Sequence, residues 1–142
     1  EIPLRLVGSE MCIRDSITGR KICMKVEILS ISSRGDHQQE YVTLKVLEDC
    51  DIGTHVLSDT TYTSNHKVSS KLRHMFWIPD KEVKAGDFVQ IHTRPGLTTE
   101  FSNRAGTTTH VFFWGLRTAV WNDDGDCAVL MEISRWAHKA TN

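Results

Sequence analysis

Glu40-Tyr41-Val42-Thr43-Leu44-Lys45-Val46 is the stretch from which the fold is read. Its β-branched and aromatic residues suit a pleated, half-buried surface. Ser32-Ser33-Arg34-Gly35-Asp36 precedes it and Asp49 to Gly53 follows it, both with the composition of turns. Upstream, residues 20–31 alternate Met24, Val26 and Ile28 with Lys25, Glu27 and Leu29, the period of a strand with one wet face. Downstream, Val56 to Thr63 is rich in Thr, Ser64 to Ser70 is polar and irregular, and Leu72 to Ile78 reads as a strand stopped by Pro79. Lys84 to Asp87 is a turn into the alternating run Phe88-Val89-Gln90-Ile91-His92-Thr93. Residues 94–109 read as a long loop, His110 to Leu116 and Cys127 to Ile133 as strands, and Arg135 to Asn142 as a tail that frays or makes one helical turn. About seven short strands separated by frequent turn signals, with no amphipathic helix longer than two turns, predict an all-β sandwich.

Composition agrees with one folded domain. The chain has 142 residues, 39% hydrophobic and 25% charged, enough to bury a core without a metal or disulfide. Its net charge of -1 lacks the basic excess of a dedicated nucleic-acid-binding domain. No apolar run approaches the ~18 residues of a membrane span. Cys12, Cys23, Cys50 and Cys127 form no C-x-x-C pair and are expected as free thiols, with Cys23 and Cys127 packed in strands.

Residues 1–16 stand apart. Arg5 to Ser16 resembles the translation of a sequencing-adapter read that recurs at the ends of unrelated proteins predicted from environmental sequence data. The segment is treated as non-native, and residues 17–142 as the single domain. A targeting signal replaced along with the natural start would leave no trace, so the compartment is left open.

Three stretches carry a family likeness. Glu40-Tyr41-Val42-Thr43-Leu44 resembles the "EYVEL" strand of lamin-tail domains. Lys84-Ala85-Gly86 followed by Asp87-Phe88-Val89-Gln90-Ile91 resembles their "L-x-P-G-x-x-V-x-I" segment, with Ala85-Gly86 in place of Pro-Gly. Trp121-Asn122-Asp123-Asp124-Gly125-Asp126-Cys127-Ala128-Val129-Leu130 is similar to their "W-N-N-x-G-D-x-A-x-L" hairpin. The likeness spans roughly residues 20–134. It implies an immunoglobulin-like β-sandwich that serves as an interaction or targeting module, with a protein as partner, no catalytic residues and no cofactor. Fold alone does not name the ligand.

In the hairpin, Trp121 is expected as a core anchor whose one N–H is satisfied locally. Asn122 and Asp123 suit turn positions, Gly125 supplies positive φ, and Asp126 accepts backbone N–H bonds. Asp123, Asp124 and Asp126 also suggest a calcium site, but the EF-hand spacing is absent and further ligands would have to come from another loop. The structural role is preferred.

Candidate binding residues are basic. Lys67, Lys71 and Arg73 precede Phe76 and Trp77, a pattern able to track phosphates and stack bases. Arg94 and Arg104 bracket the 94–109 loop, and their guanidinium forks match phosphate or carboxylate. Nucleic acid or a small nucleotide is therefore the alternative ligand to a protein. Unpaired sheet edges offer a further route, to a partner strand or to a second copy of the chain. His74, His92 and His110 fall in expected strands and would have to converge to support a metal-dependent hydrolase, the least favoured reading. No H-E-x-x-H, G-x-S-x-G, G-x-G-x-x-G or Walker pattern occurs. Arg34-Gly35-Asp36 spells an adhesion tripeptide, which a turn explains equally well.

Overall fold

A computed structural model describes residues 4–6, 12–14, 21–63, 67–122 and 124–141. Within them the chain is a β-sandwich. Its strands are β1 (Leu4–Leu6), β2 (Cys12–Arg14), β3 (Lys21–Cys23), β4 (Val26–Ser32), β5 (Tyr41–Val46), β6 (Cys50–Asp51) and β7 (His55–Thr63). They continue as β8 (Lys67–Ser69), β9 (Met75–Trp77), β10 (Glu82–Val83), β11 (Phe88–His92), β12 (Thr99–Ser102), β13 (Thr108–Phe113) and β14 (Asp126–Glu132). One sheet has the order β12-β13-β11-β5-β4, antiparallel except for the parallel pair β11–β13. The other has the order β1-β8-β7-β14, with β9 also paired to β7. β6–β10 and β2–β3 are short antiparallel pairs.

The two sheets share one core because period-two patterning aims alternate residues inward. Val42, Leu44 and Val46 of β5 stand beside Val89 and Ile91 of β11 and Phe112 of β13. From the facing sheet come Leu57 of β7, Phe76 of β9, and Ala128 and Leu130 of β14. Trp121, wholly buried, joins them as the anchor expected of it. Its indole N–H, however, has no partner among the described residues, so the expected local hydrogen bond is not formed.

In β4 the register shifts between Ile28 and Ser30. The extra residue is Leu29, which is exposed. A bulge of this kind resets the phase of a strand. Ile28 stands opposite Leu44 and Ile31 opposite Val42, so both pack on the core although three positions separate them.

Several expectations need correction. The 94–109 segment is not one long loop, because Thr99–Ser102 pairs with Thr108–Val111 as the edge strand β12. All four β12 residues are exposed, so no hydrophobic alternation announces it. Asn103 closes the hairpin: its Oδ1 accepts from the N–H groups of Ala105 and Thr107, its Nδ2 donates to Thr109 Oγ1, and Gly106 takes a φ of 82°. The polar run expected to be irregular contains β8, and the strand expected over residues 72–78 is confined to Met75–Trp77. The tail over residues 133–141 contains no helical turn. Cys23 is disulfide-bonded rather than a free thiol, while Cys50 and Cys127 are free.

Candidate interaction surface

The outer face of the second sheet carries a row of apolar side chains. Register places Trp77 beside Val56 and Met75 beside Ser58 on one flank of β7, with Met131, Val129 and Cys127 of β14 level with them on the other. Val56, Ser58 and Thr60 are buried beneath this face. Met75 and Trp77 are not, at 55% and 46% exposure. The tail returns to the same place: Trp136, 62% exposed, meets Trp77 edge-to-face at 4.8 Å between ring centroids. Trp77 is held in place by its indole N–H, which donates to Gly53 O at 2.8 Å. β9 pairs with β7 along one side, and among the described residues no strand pairs with its other side. Exposed indoles in contact, next to an unpaired strand edge, are the combination that supplies anchor residues at protein interfaces.

The basic residues of the β8–β9 stretch lie along this sheet's margin. Asp59 fastens the stretch, its Oδ1 accepting from the backbone N–H of His74 and lying 3.0 Å from the His74 ring. The Thr60 hydroxyl lies 2.9 Å from both Ser69 O and Lys71 O. Arg73 is occupied locally, donating to Thr61 Oγ1 at 3.0 Å with Asp126 Oδ1 3.9 Å from its other nitrogen. Lys67 and Lys71 belong to the same stretch, but Arg94 and Arg104 lie in loops bordering the other sheet. Arg94 follows β11 and stacks on Phe113, 5.0 Å from the ring centroid, at the far end of β13. Arg104 sits in the turn that leads into the near end of β13. The length of β13, roughly 17 Å at about 3.3 Å per residue, separates the two arginines. They do not form one anion site.

Among the described residues, 121–130 do not form the expected hairpin: Trp121 and Asn122 belong to no strand, and β14 pairs with β7. Asp124 receives a hydrogen bond from Arg34 at 3.1 Å, which joins the segment before β14 to the Ser32–Asp36 turn. Asn122 is exposed, Asp124 and Gly125 form the turn, and the Asp126 side chain is 4% exposed at the start of β14. Asp123 lies outside the described residues. Arg34-Gly35-Asp36 is likewise built into the fold: Gly35 takes a φ of 87°, and Asp36 accepts from the backbone N–H of Gln38.

The three strand histidines do not converge. His74 belongs to the second sheet's margin. His92 faces outward, stacked on Tyr41 at 4.6 Å, whereas His110 stands beside the inward-facing Val89. No group of three metal-ligating side chains occurs among the described residues.

In the sequence, Glu40 reads only as part of a strand. It is fully buried and ties three segments together. Its Oε1 accepts from the Gly35 N–H at 3.0 Å. Its Oε2 accepts from the Thr93 hydroxyl at 2.6 Å and the N–H groups of Val120 and Trp121 at 2.8 and 3.4 Å. The donors lie up to 81 residues away in sequence, so no local pattern signals them. Trp136 likewise reads only as part of the tail.

Among the described residues, no helix is long and apolar enough to cross a membrane. Comparison with known proteins finds no matching family model, no matching curated protein and no matching solved structure.

Proposed function

We propose that this domain is a non-catalytic protein-interaction module of lamin-tail type, and that it captures an extended partner segment along the free edge of β9. The observation that carries the reading is the Trp77–Trp136 pair, two exposed indoles in contact beside a strand edge that no described strand occupies. In strand addition, main-chain hydrogen bonds to the edge supply affinity and pockets for alternate side chains supply selectivity. Met75 and Trp77, two residues apart on the outer face, are placed to read such alternate side chains. The Glu40–Leu44 and Trp121–Leu130 stretches of sequence support the lamin-tail assignment through their resemblance to that family.

A displayed library of unstructured peptides tests the proposal. Peptides selected on the intact domain are then measured against Trp136→Ala, which removes an exposed ring with no role in the core. Loss of a hot-spot Trp costs ~2 kcal/mol or more, roughly thirtyfold in affinity. Selected peptides that bind Trp136→Ala as tightly as the parent would place the surface elsewhere.

A further inference from the structure

β14 is an edge strand. It pairs with β7 on one side over the unbroken register Asp126–Glu132, and among the described residues no strand pairs with its other side. β4 of the facing sheet passes this margin without joining it. The core is open here. Ala128 and Leu130 point inward yet stay half-buried, as do Ile28 and Ile31 of β4, whereas Leu57 on the neighbouring strand is fully buried.

The backbone bonds of β7 show which groups of β14 face that margin. Toward β9, His55 O accepts from the Ile78 N–H, the Asp59 N–H donates to His74 O, and Asp59 O accepts from the Arg73 N–H. Successive peptide units of a strand point to opposite sides, so the even-numbered residues of β7 turn toward β14. The Ile133 N–H accordingly donates to Thr54 O. In the same register Met131, Val129 and Cys127 turn toward Val56, Ser58 and Thr60. The N–H and C=O groups of Ala128, Leu130 and Glu132 are left directed at the open margin.

Exposed strand edges are normally blunted by Pro, by Lys, by a bulge or by being short. β4 has its bulge at Leu29, and β9 and β12 have only three and four residues. β14 has seven residues, none of them Pro or Lys, and its register carries no bulge.

We propose that β14 pairs antiparallel with β14 of a second copy of this chain, about a two-fold axis at Val129. In that register the strand is complementary to itself. Ala128 faces Leu130 of the second copy as a hydrogen-bonded pair, joined by the groups that point to the margin. Val129 faces its own counterpart as a non-hydrogen-bonded pair, where side chains approach most closely. Cys127 faces Met131, so the apolar row on the outer face of one copy continues into that of the other. At each end Asp126 falls opposite Glu132. Arg73 stands 3.9 Å from Asp126, and Lys25 lines the same cleft as Glu132, so two acids meet two bases there. One sequence read in both directions thus matches backbone, side chains and end charges, which favours a second copy over an unrelated strand. The β9 edge lies on the opposite side of β7 and is tested by peptide binding, so either reading can fail alone.

Sedimentation velocity of the full chain between about 1 and 100 µM tests the pairing, because interfaces of standard size dissociate at micromolar concentrations or below. A dimer is expected. Val129→Lys and Val129→Glu each set like charges against each other at the two-fold axis, and each should raise the dissociation constant about tenfold or more. An equimolar mixture of the two variants should recover the dimer, because opposite charges then face each other. Ala128→Pro removes an N–H that faces the margin and spares the ladder to β7, so it should weaken the dimer by a similar factor with the fold retained. A parent protein that stays monomeric up to about 100 µM overturns the proposal. A dimer that either Val129→Lys or Ala128→Pro leaves at its parental strength overturns it equally, as does a mixture of the two charge variants that stays monomeric.

Discussion

Replacing Glu40 tests whether one buried carboxyl group holds the Ser33–Glu40 turn, the end of β11 and the segment that leads to β14 together. In Glu40→Ala the Gly35 and Val120 amides and the Thr93 hydroxyl lose their acceptor, as does the more distant Trp121 amide. Each buried donor left unsatisfied costs about 1–3 kcal/mol. Gly35 is exposed and recovers part of its loss from water, so the sum is about 3–6 kcal/mol. That is a large share of the 5–15 kcal/mol typical of a domain, and corresponds to a fall in Tm of roughly 10–20 °C. Glu40→Gln behaves differently. Its amide oxygen can take the Oε2 position, which serves Thr93, Val120 and Trp121, while its NH₂ faces the Gly35 donor. Only one bond is then lost, at about 1–2 kcal/mol. Urea denaturation of the three proteins gives both differences, and hydrogen exchange at Val120 and Trp121 shows whether the loss is local. Equal losses for the two variants, or a loss below about 1 kcal/mol in Glu40→Ala, would refute the reasoning.

Three further outcomes are expected. His55 is wholly buried, with Nε2 lacking a partner among the described residues, and burial holds its ring below the ordinary value of 6.5. Between the two values the unfolded chain binds a proton that the folded chain does not, so stability is full above 6.5 and falls as pH drops through that window. His55→Phe should flatten that slope in urea midpoints measured against pH; an unchanged slope would assign it to other groups. At Gly53 a side-chain Cβ would meet Asp80, with its Cα at 2.7 Å, so Gly53→Ala should cost about 1–3 kcal/mol of unfolding free energy and release the Trp77 indole from Gly53 O. Trp77 fluorescence that stays unchanged in a stable Gly53→Ala protein would contradict this. Lastly, Arg73 is occupied by Thr61 and Asp126, and Arg94 and Arg104 lie apart, so single-stranded oligonucleotide binding should be weak, with a shallow dependence on salt. A steep slope in fluorescence anisotropy would favour the nucleic-acid reading over the β9 edge.

What could be read from the sequence was whatever local chemistry imposes. Alternation in Tyr41–Val46 and Phe88–His92 aims Val42, Leu44, Val89 and Ile91 inward whatever those strands pair with, and turn residues such as Gly35 and Gly86 break the chain at set places. The all-β class follows from these alone. Tertiary structure decided everything that depends on distant segments meeting. Thr99–Ser102 becomes a strand only because β13 offers it a ladder, and a β-bulge turns Ile31 to the core in defiance of the simple period. Glu40, Asp87 and His110 read as ordinary strand and turn residues until the fold surrounds them, because most of their partners come from 21 to 81 residues away. The Trp77–Trp136 contact arises in the same way, since the tail has no pattern of its own and is placed only by the sheet to which it returns. Side-chain direction is a property of the local backbone, whereas burial and hydrogen-bond partnership belong to the assembled chain.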